Sequence, residues 1–315
     1  MSTLQIGTLI AATGTKVNGF ITVPNSPVQI PLTIINGAKA GKTLLITGGI
    51  HGAEYPCIES AIRFGASLDP QQMSGRVLIM SPVSLNSFHA RQAFVVPEDG
   101  KNLNRQFPGK ARGTIAERMA FTIMSEVVPH IDAWIDLHGG DLPEALIPFL
   151  GYEEAASPAV NAQTLDMAAA FGIELLVRPD HLAGTTVAAA AQLNIPCLLA
   201  EAGQLGQREE SDIHLLQQGC HNVAQLMGII PGTAPRTNLR IFENWPWVRA
   251  AHTGCWYPQV KIGDHVHKGQ TVGVVKDYFG EQIAEYQSPA DGIVLLVMTA
   301  LSVNTNDPLL GVAAD

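Results

Sequence analysis

Residues 42–47 (K-T-L-L-I-T) form a short continuous apolar run closed by Gly48 and Gly49. An uninterrupted apolar run of that length is the pattern of a strand buried on both faces. The pattern returns at 76–80 (R-V-L-I-M), 133–137, 171–177 and 196–200. Between these runs the apolar positions change to helical spacing, as in 54–67 with Ile58, Ala61, Ile62 and Phe64 on one face. Further helices are predicted over 114–128, the Ala-rich stretch 186–193, and 210–227. Strands alternating with helices predict an α/β fold whose sheet is mostly parallel or mixed and flanked by helices. Ahead of it, residues 1–40 are strand-rich, and Pro24, Pro27 and Pro31 within 21–35 suit an edge hairpin. Residues 87–112 combine Pro, Gly and Asn with little periodicity, which reads as a long functional loop.

After Gly228 the texture changes. Residues 231–236 (P-G-T-A-P-R) make a turn-rich linker, and from 245 onward short strands alternate with Gly-Asp, Lys-Gly and Asp-Gly turns. That pattern predicts an all-β module. The boundary is set between a first domain, 1–238, and a C-terminal domain, 239–315.

Composition narrows the class. Hydrophobic residues at 46% and charged residues at 15% exclude a disordered or coiled-coil chain. No apolar run reaches the roughly 18 residues of a membrane span, and the first residues lack a basic-then-apolar leader. The expectation is a cytoplasmic protein without membrane attachment. With 28 acidic against 19 basic residues the net charge is −9, and the basic residues are scattered singly, which disfavours nucleic acid as a partner. The four cysteines show no C-x-x-C pair; Cys57 and Cys197 read as small buried hydrophobes.

The chemistry collects where the buried runs end. In G-G-I-H-G-A-E-Y, His51 and Glu54 follow the first buried strand, at the sheet edge where open α/β folds gather ligands. An imidazole and a carboxylate three apart suit zinc, provided a third ligand exists. Alone, the pair reads more readily as a loop His beside a first-turn acid that the helix dipole favours. In I-D-L-H-G-G a second His, His138, ends another buried strand, with Asp136 two residues earlier to orient a ligand. In L-L-A-E-A-G a carboxylate, Glu201, ends a third. The loop D-G-K-N-L-N-R-Q-F-P-G offers Asn104 and Arg105, an amide beside a guanidinium fork, the natural partner of a carboxylate. Arg91 lies upstream in that loop, as a group for a developing oxyanion.

Taken together, H-G-A-E, D-G-K-N-L-N-R-Q-F-P-G, I-D-L-H-G-G and A-E-A-G, in that order, resemble the succinylglutamate desuccinylase/aspartoacylase family of the zinc-carboxypeptidase clan. The resemblance covers roughly residues 40 to 230. It implies a zinc-carboxypeptidase-like mixed sheet, one zinc ion per chain on His51, Glu54 and His138, and Glu201 as general base. It also implies that Asn104 and Arg105 bind a substrate carboxylate. Two positions depart from the family pattern. Ala93 stands where its loop carries a second arginine, leaving Arg91 for the oxyanion. Thr185 and Thr186 stand where a further substrate arginine precedes the Glu strand, which argues against a dicarboxylic amino-acid product. The C-terminal module resembles the barrel-sandwich hybrid of biotinyl and lipoyl domains through K-I-G-D-H-V-H-K-G-Q and S-P-A-D-G-I-V. Glu281 occupies the place of the carrier lysine, so the expected role is structural or gating. His265 and His267 are expected in solvent.

These features predict a zinc-dependent deacylase acting on a small N-acylated amino acid or amine. The alternatives are a zinc carboxypeptidase acting on peptides and a non-catalytic binding protein on the same fold. A homo-oligomer is compatible with the sequence, which does not fix the state.

Overall fold

The computed structural model describes residues 3–178 and 183–314. Its centre is a nine-stranded mixed sheet. From one edge to the other the strands are Arg240–Phe242, Leu175–Val177, Phe149–Gly151, Cys197–Glu201, Ala133–His138, Lys39–Gly48, Ser74–Met80, Gln29–Asn36 and Thr15–Thr22. The four strands from Cys197–Glu201 to Ser74–Met80 are mutually parallel. The Thr15–Thr22/Gln29–Asn36 hairpin closes one edge antiparallel, as its prolines lead one to expect.

Both faces of the central strands are apolar because both are covered. Leu44, Ile46, Val77, Ile135 and Leu198 pack with Cys57, Phe64, Phe171 and Leu216 from the helices Tyr55–Ser67, Pro158–Phe171 and Glu210–Leu226. Leu45, Leu78, Trp134 and Cys197 pack with Ala116, Met119 and Val187 from the helices Ile115–Thr122 and Thr186–Gln192 on the other side. Cys57, Cys197 and Cys220 are free and buried. Among the described residues no helix is long and apolar enough to cross a membrane.

Two segments differ from their predicted form. The strand expected over 171–177 is only Leu175–Val177, because the helix Pro158–Phe171 runs up to Gly172, whose left-handed backbone (φ 106°) ends it. The long loop contains a short helix, Leu85–Ala90, and a 3₁₀ turn, Leu103–Arg105.

The C-terminal strands build two antiparallel sheets around Trp256, Val272, Val294 and Leu309. Glu281 is exposed in a turn held by Asp277, and His265 and His267 are exposed too. The sheets on either side of residue 238 exchange strands. Arg240–Phe242 pairs with Leu175–Val177 of the large sheet, and Glu144–Leu146 pairs with Gly292–Met298 of the C-terminal one.

Candidate active site

The parallel register decides which strand ends meet. Glu201 stands directly beside His138, and Gly48 beside Leu137, so the predicted functional positions share one carboxyl edge. His51 reaches that edge through a tight turn. Gly49 takes a positive φ of 75°, which favours glycine. Gly52 lets the chain pass the helix Leu85–Ala90 so closely that an added Cβ would lie 2.1 Å from the Phe88 nitrogen.

His51, Glu54 and His138 converge, with one candidate ligand atom from each within 4.8 Å of the others. His51 Nδ1 lies 2.7 Å from Glu54 Oε1, and His138 Nδ1 lies 3.1 Å from Glu54 Oε2. The outer nitrogens are held separately. His51 Nε2 lies 3.0 Å from Asn102 Oδ1, which also accepts the Asn104 backbone N–H, and His138 Nε2 lies 3.0 Å from Asp136 Oδ2. Asn102 Oδ1 and Asp136 Oδ2 thus offer an acceptor to each Nε2, which favours a proton there. Both Nδ1 atoms face the oxygens of one carboxylate, that of Glu54.

Burial opposes the charge on His138, but Asp136 and Glu54 outweigh it and hold the imidazole well above its ordinary range. His51 is raised in the same way, against burial, by Glu54. Burial alone would raise Glu54, yet the two imidazoles bring it down to about 2. Two neutral nitrogens and a carboxylate oxygen are also the donor set of a catalytic zinc site, so these residues fit the metal. Asp136 is itself fully buried and accepts hydrogen bonds from Thr47 Oγ1 (2.6 Å) and from Thr186 Oγ1. Thr47 in turn takes the indole N–H of Trp134 at 2.8 Å.

Glu201 is built differently. Its Oε2 is buried and finds no hydrogen-bond partner among the described residues. Burial pushes its carboxyl up to about 8, with Glu54 and Glu144 adding to the rise and His138 opposing it. A carboxyl near that value holds or releases a proton around neutrality, which is what a general base requires.

Asn104 is buried with Nδ2 3.3 Å from His138 Nε2, and its Oδ1 accepts the Thr186 backbone N–H. Arg105 donates to the Asn104 carbonyl at 2.6 Å and lines the same cavity as the triad and Glu201. Arg91 is not brought to this cavity. It is exposed at the end of the helix Leu85–Ala90, with φ 52°, and lines a separate groove with Glu59, Ile62 and Arg208. The oxyanion position expected of it is therefore not supported by its placement, because the short helix carries it to the outer side of the loop.

Several contributors lie outside the sequence-based expectation. Asn102 stands inside the K-N-L-N-R motif, where a second asparagine two residues before Asn104 is the available signal. Trp245, Trp247 and Arg249 reach the cavity from beyond the linker. Nothing local to the sequence marks them, since their position depends on how the C-terminal sheets dock.

The cluster of His51, Glu54 and His138 thus lies at the carboxyl edge of an α/β sheet, with the Glu201 carboxyl beside it. The model of the succinylglutamate desuccinylase/aspartoacylase catalytic domain matches residues 40–227, and the chain belongs to that family of deacylases. It is 28% identical to N-alpha-acetyl-L-2,4-diaminobutyric acid deacetylase of Halomonas elongata, over 94% of this chain and 91% of that protein. The fold matches that of a succinylglutamate desuccinylase/aspartoacylase from Rhodobacter sphaeroides with a TM-score of 0.85, 28% identity and 95% of each chain covered. It also matches the product-bound ectoine utilization protein EutE (DoeB) of Ruegeria pomeroyi, with a TM-score of 0.86, 24% identity and 95% of each chain covered.

Proposed function

We propose that the protein is a zinc-dependent amidohydrolase that removes the acyl group from a small N-acyl amino acid. The observation that carries this reading is the pair of inward Nδ1 atoms on one carboxylate, with Glu201 next to them in register. His51, Glu54 and His138 would hold one zinc ion. When bound there, zinc supplies the Lewis acid that polarises the scissile carbonyl and acidifies a water. Glu201 takes the proton of the attacking water and passes it to the leaving nitrogen, which its raised proton affinity suits. Asn104 and Arg105 anchor the carboxylate of the amino acid and set the amide in register with the base.

The similarity to a deacetylase of an N-alpha-acetyl amino acid supports this substrate class. A peptide substrate is disfavoured because Trp245, Trp247 and Pro308 from the C-terminal part line the same cavity and limit the room for a longer chain. The test is metal content by plasma emission together with amine release from a panel of N-acyl amino acids and dipeptides. About one zinc per chain, with turnover of N-acyl amino acids, is expected. A chain with no affinity for zinc near neutral pH, or one that cleaves only dipeptides, overturns the proposal.

A further inference from the structure

Side chains alternate across a strand, so residues two apart share a sheet face. In the strands Phe149–Gly151, Leu175–Val177 and Cys197–Glu201, one set (Leu150, Leu176, Leu198, Ala200) is in the core beneath the helices Pro158–Phe171 and Glu210–Leu226. The alternate set, Phe149, Gly151, Val177, Leu199 and Glu201, therefore lies on the opposite face, and all five line the site cavity. Over this part of the sheet the cover on that face comes from the C-terminal strands, with Trp245 and Leu296 packed beside Phe149 and Val177.

The two surfaces do not close on each other, and a cavity of about 580 Å³ remains. Sites of roughly 300–1,000 Å³ hold drug-sized ligands, so a small acetylated amino acid leaves much of this one unfilled. Near the triad the lining is polar. Phe149, Tyr152, Val177, Leu199, Trp245 and Leu296 supply apolar lining, and the C-terminal side adds the charged Arg249 and Asp307. The Tyr152 hydroxyl is engaged with Arg178, while Trp245 Nε1 is buried and has no hydrogen-bond partner among the described residues. An apolar wall gains most from an apolar ligand, because contact removes both surfaces from water.

Gly151 sits in the floor, opposite Leu199 on one side and Val177 on the other. A Cβ built on it meets Leu199 Cδ2 at 3.5 Å and Val177 Cγ2 at 3.9 Å, both ordinary contacts. Neither crowding nor a positive φ demands glycine at this position, and its effect is to leave the floor deep.

We infer that this chamber is a subsite for an apolar chain of the substrate. The N-acyl amino acids handled best then carry an alkyl or aryl group larger than a methyl, either in the acyl moiety or in the side chain of the amine. The inference rests on the deacylase reading above. It is tested without turnover by titrating the zinc-loaded full chain with two series of reaction products. Straight-chain acids from acetate to octanoate report the acyl side; glycine, alanine, leucine and phenylalanine report the amine side. Calorimetry gives the affinity, and hydrolysis of the matching N-acyl amino acids is followed separately.

In one of the two series the dissociation constant is expected to fall about fourfold per buried methylene, until the chamber is filled. Gly151→Val grows into the chamber and is expected to reduce the preference for long over short ligands by about tenfold or more. Gly151→Ala, which meets no clash, should reduce it less. If long ligands bind more tightly and Gly151→Val cancels the gain, while no N-acyl amino acid is hydrolysed, the chamber stands and the deacylase reading falls. If N-acetyl amino acids are hydrolysed but neither series tightens, the chamber is overturned and the deacylase reading stands. The chamber is overturned equally if Gly151→Val weakens short and long ligands alike.

Discussion

His138 and Glu201 are register neighbours on adjacent parallel strands, yet their surroundings are opposites. Around His138 each polar atom is engaged: Nδ1 with Glu54, Nε2 with Asp136, and Asp136 in turn with Thr47 and Thr186. Beside it, Glu201 keeps an oxygen that is buried and, among the described residues, unpartnered. On the proposed function, the contrast separates two tasks at one sheet edge. A ligand position gains from being fixed in advance, because orientation of the imidazole is then set before the ion arrives. A proton carrier gains from the reverse, since every hydrogen bond to its ionised form lowers its proton affinity.

The largest effects should come from breaking each side of this contrast. His138→Ala removes a ligand and is expected to abolish both zinc retention and turnover. Glu201→Gln keeps the size of the side chain and the three ligands, so zinc content should survive while kcat falls by about 10²–10⁴. Plasma emission and steady-state kinetics on the two variants check this. Loss of zinc from Glu201→Gln would make Glu201 a ligand, and near-normal turnover with zinc retained would place the base elsewhere.

A smaller effect is expected one step further out. Asp136→Asn leaves every proposed ligand in place but weakens the partner that orients His138. Zinc affinity should fall by about 10–100-fold, measured by competition with a chromogenic chelator. An unchanged affinity would show that the strand alone orients the ring.

The smallest effect concerns the carboxyls near the seam. Glu144 lines the cavity, and burial pushes it up to about 7 from the ordinary 4.5, with Glu54 and Asp141 contributing and the Asp141 N–H opposing. Below about pH 4.5 the group is protonated in both folded and unfolded chains and has no net effect. As the pH rises from about 4.5 to about 7, the unfolded chain releases its proton first, so the folded state loses stability through that window. Glu144→Gln removes the penalty. Its melting temperature, relative to wild type in the metal-free protein, should be higher by more at about pH 8 than at about pH 5. An equal difference at both values would show that Glu144 titrates normally.

The sequence carried the strand ends well and the loop between them poorly. His51, His138 and Glu201 were legible because a strand buried on both faces is a continuous apolar run, and a polar residue at its end stands out. Parallel pairing then brought those ends together. The helix Pro158–Phe171 was not legible. Its last turns, from Met167 to Phe171, are buried without a polar face, so they merged with the apolar strand that follows. Arg91 shows the limit for loops. Chain order placed it before Asn104, but the short helix Leu85–Ala90 decided which side of the loop it occupies. The cavity wall from Trp245 to Arg249 was invisible for a related reason, since docking between sheets has no local period.

The exchange of strands across residue 238 bears on how this chain behaves when it is cut. Residues 231–236 look like a dispensable tether between two separable parts. Yet Arg240–Phe242 closes one edge of the large sheet, and Glu144–Leu146 contributes an edge to the C-terminal one. A protease nick in the tether would leave two fragments still joined by both strand pairings, along with the apolar packing of Phe149 and Val177 against Leu296. Expressing either fragment by itself would bare an unpaired, largely apolar strand edge, the kind of surface that recruits other chains. The halves of this protein are best regarded as one folding unit, with the cavity lined from both as the part that neither could keep alone.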